Sequence, residues 1–168
     1  MRGREFDAVF LIGVEAMQDF DSVPLWTERV HVALPEDHIL AKPDALTRQH
    51  IRYEPFVVRR WASGSMIWHR LADRMIADGI EPSRTTCRIA RRSLLGLVAI
   101  GRGLTVVSDA ATSMTIPGVV YRPVDDPDAT ITVRLAWMPE NDNPALPRFV
   151  SFAKSFVQDP AAAASPST

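Results

Sequence analysis

At 168 residues, with 46% hydrophobic and 23% charged side chains, the chain has the balance of one globular domain or two small lobes. Its lone cysteine, Cys87, excludes an internal disulfide and a cysteine metal set, and points to a reducing, cytoplasmic setting. The net charge of −1 conceals nine arginines against three acids between Arg59 and Arg102, a local +6 balanced by −7 elsewhere; this suits an anionic partner or a solvated surface.

The longest apolar runs, residues 8–13 and 94–100, fall far short of the ~20 residues that a membrane span needs, and the first residues lack the apolar core of a signal peptide. Neither export nor membrane insertion is expected. In chain order, residues 6–13 form a nearly continuous apolar run ending at glycine, which predicts a strand covered on both faces, as in a parallel sheet. Trp26, Val30, Val32 and Leu34 alternate with Thr27, Arg29 and His31, so residues 25–34 predict a second strand, stopped by Pro35. Residues 36–43 read as a loop, and Pro43 opens a short helix through His50. A short strand follows over residues 56–58.

Ser63 or Ser65 caps a helix whose apolar positions Met66, Ile67, Leu71 and Met75 keep three- and four-residue spacing, with Gly79 as its left-handed terminator. Residues 84–89 predict a strand. The next helix begins at Arg91-Arg92-Ser93 and breaks at Gly101 or Gly103, releasing residues 104–107 into a buried strand. This order argues against a nucleotide loop, whose glycines follow a strand and open a helix. A helical turn is predicted within residues 108–114, then a short or edge strand over 119–124, weakened by Pro123. Residues 125–128 are turn chemistry, and residues 130–138 alternate Ile131, Val133, Leu135 and Trp137 on one strand face. Asn143-Pro144 caps a last helix with one apolar stripe, Leu146, Phe149, Val150, Ala153, Phe156 and Val157, which must pack on something large. Residues 159–168 have little to bury and read as a disordered tail.

The order and spacing of Val32-Ala-Leu-Pro-Glu-Asp-His-Ile-Leu-Ala41, Glu54-Pro-Phe-Val-Val58, Leu97-Val-Ala-Ile-Gly-Arg-Gly-Leu-Thr-Val-Val107, Pro117-Gly-Val-Val-Tyr-Arg-Pro123 and Leu135-Ala-Trp137 resemble the effector-binding domain of LysR-type bacterial transcriptional regulators. The resemblance implies an α/β, two-lobed periplasmic-binding-protein-like (type 2) fold, joined by two crossover strands, with a small-molecule inducer held between the lobes. Residues 1–36 and 125–158 then make lobe I, with the crossovers, and residues 37–124 make lobe II. Lobe I is incomplete: two strands and two helices of the family pattern have no counterpart here. Nothing corresponds to the family's winged helix-turn-helix either, so no direct DNA binding by this chain is expected. Residues 6–13 and the final apolar stripe are patterned for burial without their expected partners, and leaving such side chains wet costs roughly 1.5–3 kcal/mol each. Self-association, as a dimer or higher oligomer, is therefore expected.

The chemistry of the site follows from the same pattern. Arg59 and Arg60 follow a strand at the mouth where α/β sheets bind ligands, and Arg91 with Ser93 begins the later helix. Arginine grips a carboxylate with two parallel hydrogen bonds, so these are the best contacts for an anionic effector, a carboxylate or aromatic acid. Ser63 and Ser65 at a helix start can cap it or offer freed N–H groups to a carboxylate, and Trp61 and Trp68 can stack on a flat ligand or fill the core. By resemblance, Gly13 with Val14 and Val107 with Ser108 also face the cleft. The four histidines show no metal-ligand spacing, and no nucleophile with its base can be placed, so neither a metal, a cofactor nor catalysis is expected. The readings are a small-molecule sensor, a ligand-free module that pairs with intact regulators, and, behind both, an enzyme on the same fold.

Overall fold

Strand β2 (Asp21–Pro35) is the longest element, 15 residues against the ten predicted, and it ends at Pro35 as expected. The structure, a computed structural model, describes residues 6–13, 19–60 and 63–158. These divide into two compact units, one of the described residues up to Thr27 with those from Thr132 onward, the other of the described residues between Glu28 and Ile131. The chain passes from one unit to the other within β2 and again within β7 (Thr130–Trp137).

In the larger unit β2 pairs antiparallel with both β5 (Thr105–Ser108) and β6 (Val119–Pro123), matching Val32 to Val106 and to Arg122. The alternation that predicts β2 buries Val30, Val32 and Leu34. A second, parallel pair, β3 (Phe56–Arg59) and β4 (Arg84–Cys87), joins this layer where Val57 N–H donates to Leu104 O and Leu104 N–H donates to Pro55 O, both at 2.8 Å. Helix α1 (Ser63–Ala77) packs on β3 and β5, and helix α2 (Arg91–Ala99) on β3 and β6.

Both helices stop as their sequences dictate. Gly79 and Gly101 take φ of 74° and 72°. Ile80 N–H then reaches back to Met75 O and Arg102 N–H to Leu97 O, closing the orphaned carbonyls of the last turn. Gly103 has a different reason. At φ 136° its Cα lies so close to β3 that a Cβ would stand 2.7 Å from Pro55 O and 2.8 Å from Val57 Cγ2.

The core of this unit is centred on Phe56 and Trp68, both about 1% exposed, whose rings tilt together at 4.6 Å. Trp68 thus fills the core and does not stack on a ligand. A second cluster joins Ala33, Leu95 and Ile116 to Met114 and Tyr121. The Tyr121 hydroxyl donates to Met114 O at 2.7 Å, and burial pushes the phenol above its ordinary pKa. The folded state therefore holds the proton more tightly than the unfolded chain, so this contribution is intact below about pH 10 and is lost as pH rises through the folded value. Urea midpoints followed upward through that range are expected to fall more steeply for the wild type than for Tyr121→Phe; parallel slopes would discount the phenol.

Two elements differ from expectation. No helix forms over residues 43–50; a single 3-10 turn (Ile39–Ala41) precedes a run of turns. The reason is that Leu46, wholly buried, spends its backbone on the sheet: its N–H donates to Pro123 O and its carbonyl accepts from Asp125 N–H. Arg48 then pins this segment, pairing with Asp78 just beyond α1 and with Asp126 in the 125–128 turn.

In the smaller unit, β1 (Val9–Ile12) pairs antiparallel with β7, Phe10 opposite Leu135, and Phe10 is 55% exposed; the covered, parallel strand expected for residues 6–13 is not what forms. A continuous apolar run marks a strand without specifying the direction of its neighbour. Asn143 Oδ1 accepts from Ala145 N–H at 2.9 Å in the turn leading into the last helix, α4 (Leu146–Gln158), which starts two residues beyond the Pro144 start expected. Of the apolar stripe on α4, Leu146 and Ala153 are buried, whereas Phe149 and Phe156, with Phe152 from outside the predicted stripe, border an open groove completed by Phe10, Leu25 and Trp26.

Candidate functional site

The strands β3 and β5 end side by side, and α2 starts at the same rim. Between them lies a shallow cleft, open to solvent at its mouth, whose enclosed part is about 20 Å³, room for about one water. Its floor is apolar: Ile67 from α1, Leu94 and Leu95 from α2, and Val106 from β5 are each under 5% exposed. Its rim carries Arg59, the last residue of β3, and Arg91, the first of α2. Val107 and Ser108 close the far side.

No acid lines this opening. Among the described residues, neither Arg59 nor Arg91 takes part in an ion pair or side-chain hydrogen bond, whereas Arg48 and Arg74 reach aspartates. Helix α2 adds to the positive field. Ala90, its N-cap, has no side chain able to cap, so the first-turn N–H groups are left to other acceptors.

Ser108 is 7% exposed and precedes the four-residue helix α3 (Asp109–Thr112), yet its hydroxyl makes no cap bond. Glu28 of β2 takes that role, its Oε2 accepting from Ala110 N–H at 3.1 Å. A buried carboxylate at a helix start is favourably placed by charge and by hydrogen bonding. Sequence reasoning passed over Glu28, although it stands in register with Val30, Val32 and Leu34 on the buried face of β2. That position was the available signal.

Four predicted site residues, Arg59, Arg91, Val107 and Ser108, therefore meet in one cleft. Ser93 is exposed in the first turn of α2, and Arg60 is exposed with its backbone N–H on Cys87 O at 2.9 Å; neither lines the cleft. Ser63 opens α1 and Ser65 is its third residue. Gly13 belongs to the smaller unit, where its N–H donates to Thr132 O at 3.1 Å. Val14 and Trp61 lie outside the described residues.

The remaining polar candidates have local partners. His38 Nδ1 accepts from Leu40 N–H, with Nε2 3.5 Å from Glu54, and His50 Nδ1 accepts from Thr47 N–H. His31 Nε2 lies 3.5 Å from Asp109. The Cys87 thiol donates to Val58 O at 3.6 Å. Among the described residues no cluster of three or more His, Cys, Asp or Glu is placed to hold a metal, and no helix is long and apolar enough to cross a membrane.

A family model described as LysR substrate binding domain matches residues 1–158. Over 122 residues the chain is 28% identical to the HTH-type transcriptional regulator XapR of Escherichia coli (strain K12), covering 72% of this chain and 41% of that protein. The chain thus spans about two-fifths of the length of this curated relative. Among solved structures, it is similar to the effector binding domain of QuiR in complex with shikimate, at a TM-score of 0.76 and 20% identity, covering 91% of this chain and 72% of that one. It is also similar to the BenM effector binding domain with its effector benzoate, at a TM-score of 0.71 and 21% identity, covering 92% and 73%. At these identities the structural likeness establishes the fold, the α/β, periplasmic-binding-protein-like type expected from the sequence.

Proposed function

The chain belongs to the LysR substrate-binding domain family, and from that premise we propose that it senses a small organic anion, a carboxylate or aromatic acid, at the cleft of its larger unit. The observation that carries this reading is the pairing of Arg59 and Arg91 over an apolar floor with no acid on the lining. An apolar floor excludes water, and two guanidiniums at its rim offer the planar, forked donors that carboxylates accept. Ser108, released from capping α3, adds a hydroxyl beside them. That QuiR is solved with shikimate and BenM with benzoate supports a carboxylate as the ligand class. In this reading residues 37–124 are lobe II, and residues 1–36 with 125–158 are lobe I. Binding shifts a conformational equilibrium by the difference in affinity between the two states and requires no reaction.

Thermal unfolding against a panel of aromatic and aliphatic acids tests the reading, since a ligand at 100 times its dissociation constant stabilises by about 2.7 kcal/mol. For an acid identified in this way, Arg91→Ala is expected to weaken binding about tenfold in calorimetry, the loss of one charge-assisted contact. Unchanged affinity would remove Arg91 from the site.

A second reading, a module that works by pairing with intact regulators, is favoured by the open apolar groove of the smaller unit, where Phe149, Phe152 and Phe156 stay 43–64% exposed. Both readings place self-association on that groove, and light scattering at micromolar concentration is expected to report a dimer or larger species. A monodisperse monomer would count against it.

A further inference from the structure

We propose that Glu28 and Ser108 are alternative caps for α3, and that Glu28, by holding that place, keeps the Ser108 hydroxyl available to the cleft. This rests on the cleft being the effector site, and adds a positioning residue that does not line it. Ser108 already has the backbone of a capping residue, φ −89° and ψ 165°, and a serine so placed ordinarily accepts from the second or third N–H of its helix. Here the second, Ala110 N–H, is taken by Glu28 Oε2 at 3.1 Å. Both side chains reach the same place because Ser108 stands opposite Val30, two residues on from Glu28 and on the same face of β2. Ser108 is 7% exposed, and among the described residues its hydroxyl has no hydrogen-bond partner. A buried hydroxyl left in that state is costly, and the enclosed part of the cleft that it lines, about 20 Å³, admits one water-sized polar group of a ligand. When Glu28 withdraws, rotation about the Ser108 Cα–Cβ bond brings Oγ to the freed N–H with the backbone unchanged. Glu28 is also the residue at which β2 enters the larger unit. A shift of the strand there is therefore felt at the cleft as the loss of a hydroxyl, and the two arrangements differ by the exchange of one hydrogen bond.

Amide exchange at Ala110 and Ala111, followed without any ligand, tests the competition. Ser108→Ala alone is expected to leave exchange within about twofold of wild type, since Glu28 holds the N–H, but in a Glu28→Ala background to speed it about tenfold, because Ser108 is then the cap. Glu28→Gln keeps an acceptor oxygen and should behave as wild type; Glu28→Leu, which keeps the volume without the acceptor, takes the place of Glu28→Ala if that variant does not fold. The same acceleration by Ser108→Ala in both backgrounds, or none in either, would overturn the exchange of caps. Calorimetry with benzoate and shikimate reads the consequence at the cleft. Ser108→Ala and Glu28→Ala are each expected to weaken at least one of these acids about fivefold, with the double variant no weaker than either and Glu28→Gln close to wild type. An acid that loses affinity in Arg91→Ala but not in Glu28→Ala would overturn the positioning role and leave the effector reading standing. No binding by either acid at millimolar concentration would overturn both.

Discussion

Replacing Gly103 with alanine is expected to destabilise the protein by about 3 kcal/mol or more, because two costs fall on one atom. The residue holds φ at 136°, a region that L side chains rarely enter, and the added Cβ would stand 2.7 Å from Pro55 O, a backbone atom without freedom to move aside. That carbonyl is already engaged, accepting from Leu104 N–H at 2.8 Å, so yielding to the methyl would break the link between β3 and β5. Gly101→Ala is the control. At φ 72° it meets nothing within 4 Å, so it carries only the backbone strain, about 1–2 kcal/mol. Urea denaturation compares them directly, with a fall in midpoint at constant slope as the expected signature. Equal losses for the two variants would mean that the close approach at Gly103 is not a constraint.

The second large effect is expected at Arg48. Its guanidinium serves Asp126, whose side chain is 8% exposed and whose Oδ1 is occupied by Asp128 N–H, and also Asp78 just beyond α1. Arg48→Ala leaves a buried carboxylate without its cation, a loss of about 2–4 kcal/mol. The more exposed pair, Arg74 with Asp128 at 2.9 Å, should cost less than about 1 kcal/mol when Arg74 is replaced by alanine. Combining Arg48→Ala with Asp126→Asn should recover part of the loss, since the second change removes the stranded charge. Strict additivity of the two would show that they do not interact.

These two sites also mark how far the sequence could be read. Helix α1 was legible because Ile67, Leu71 and Met75 share one face and Gly79 terminates it; all of that information is local. The segment 43–50 was not, because the contact that prevents a helix there, Leu46 with Val124, joins residues far apart in the chain. That Arg59 and Arg91 come together was legible because ends of strands and starts of helices converge in α/β layers, whereas Val107 and Ser108, which line the same cleft, were placed by the family resemblance. The apolar floor was not, since Ile67 comes from a helix whose docking on β5 only the tertiary fold decides. Glu28 was hidden for a related reason: a carboxylate on the buried side of an alternation reads as a mismatch until Ala110 N–H is seen to meet it.

The two passages of the chain within β2 and β7 bear on how the protein is made. Residues 28–131 form one uninterrupted stretch, and its ends are fastened together where Val30 N–H donates to Ala129 O at 2.8 Å. The other unit is assembled from segments on either side of it. On the ribosome, the stretch that carries the cleft is complete before the rest of β7 and α4 emerge, and once folded it brings the flanking segments into proximity. The entropy of closing a loop that long is then met by an already folded insert, so the smaller unit is expected to mature last.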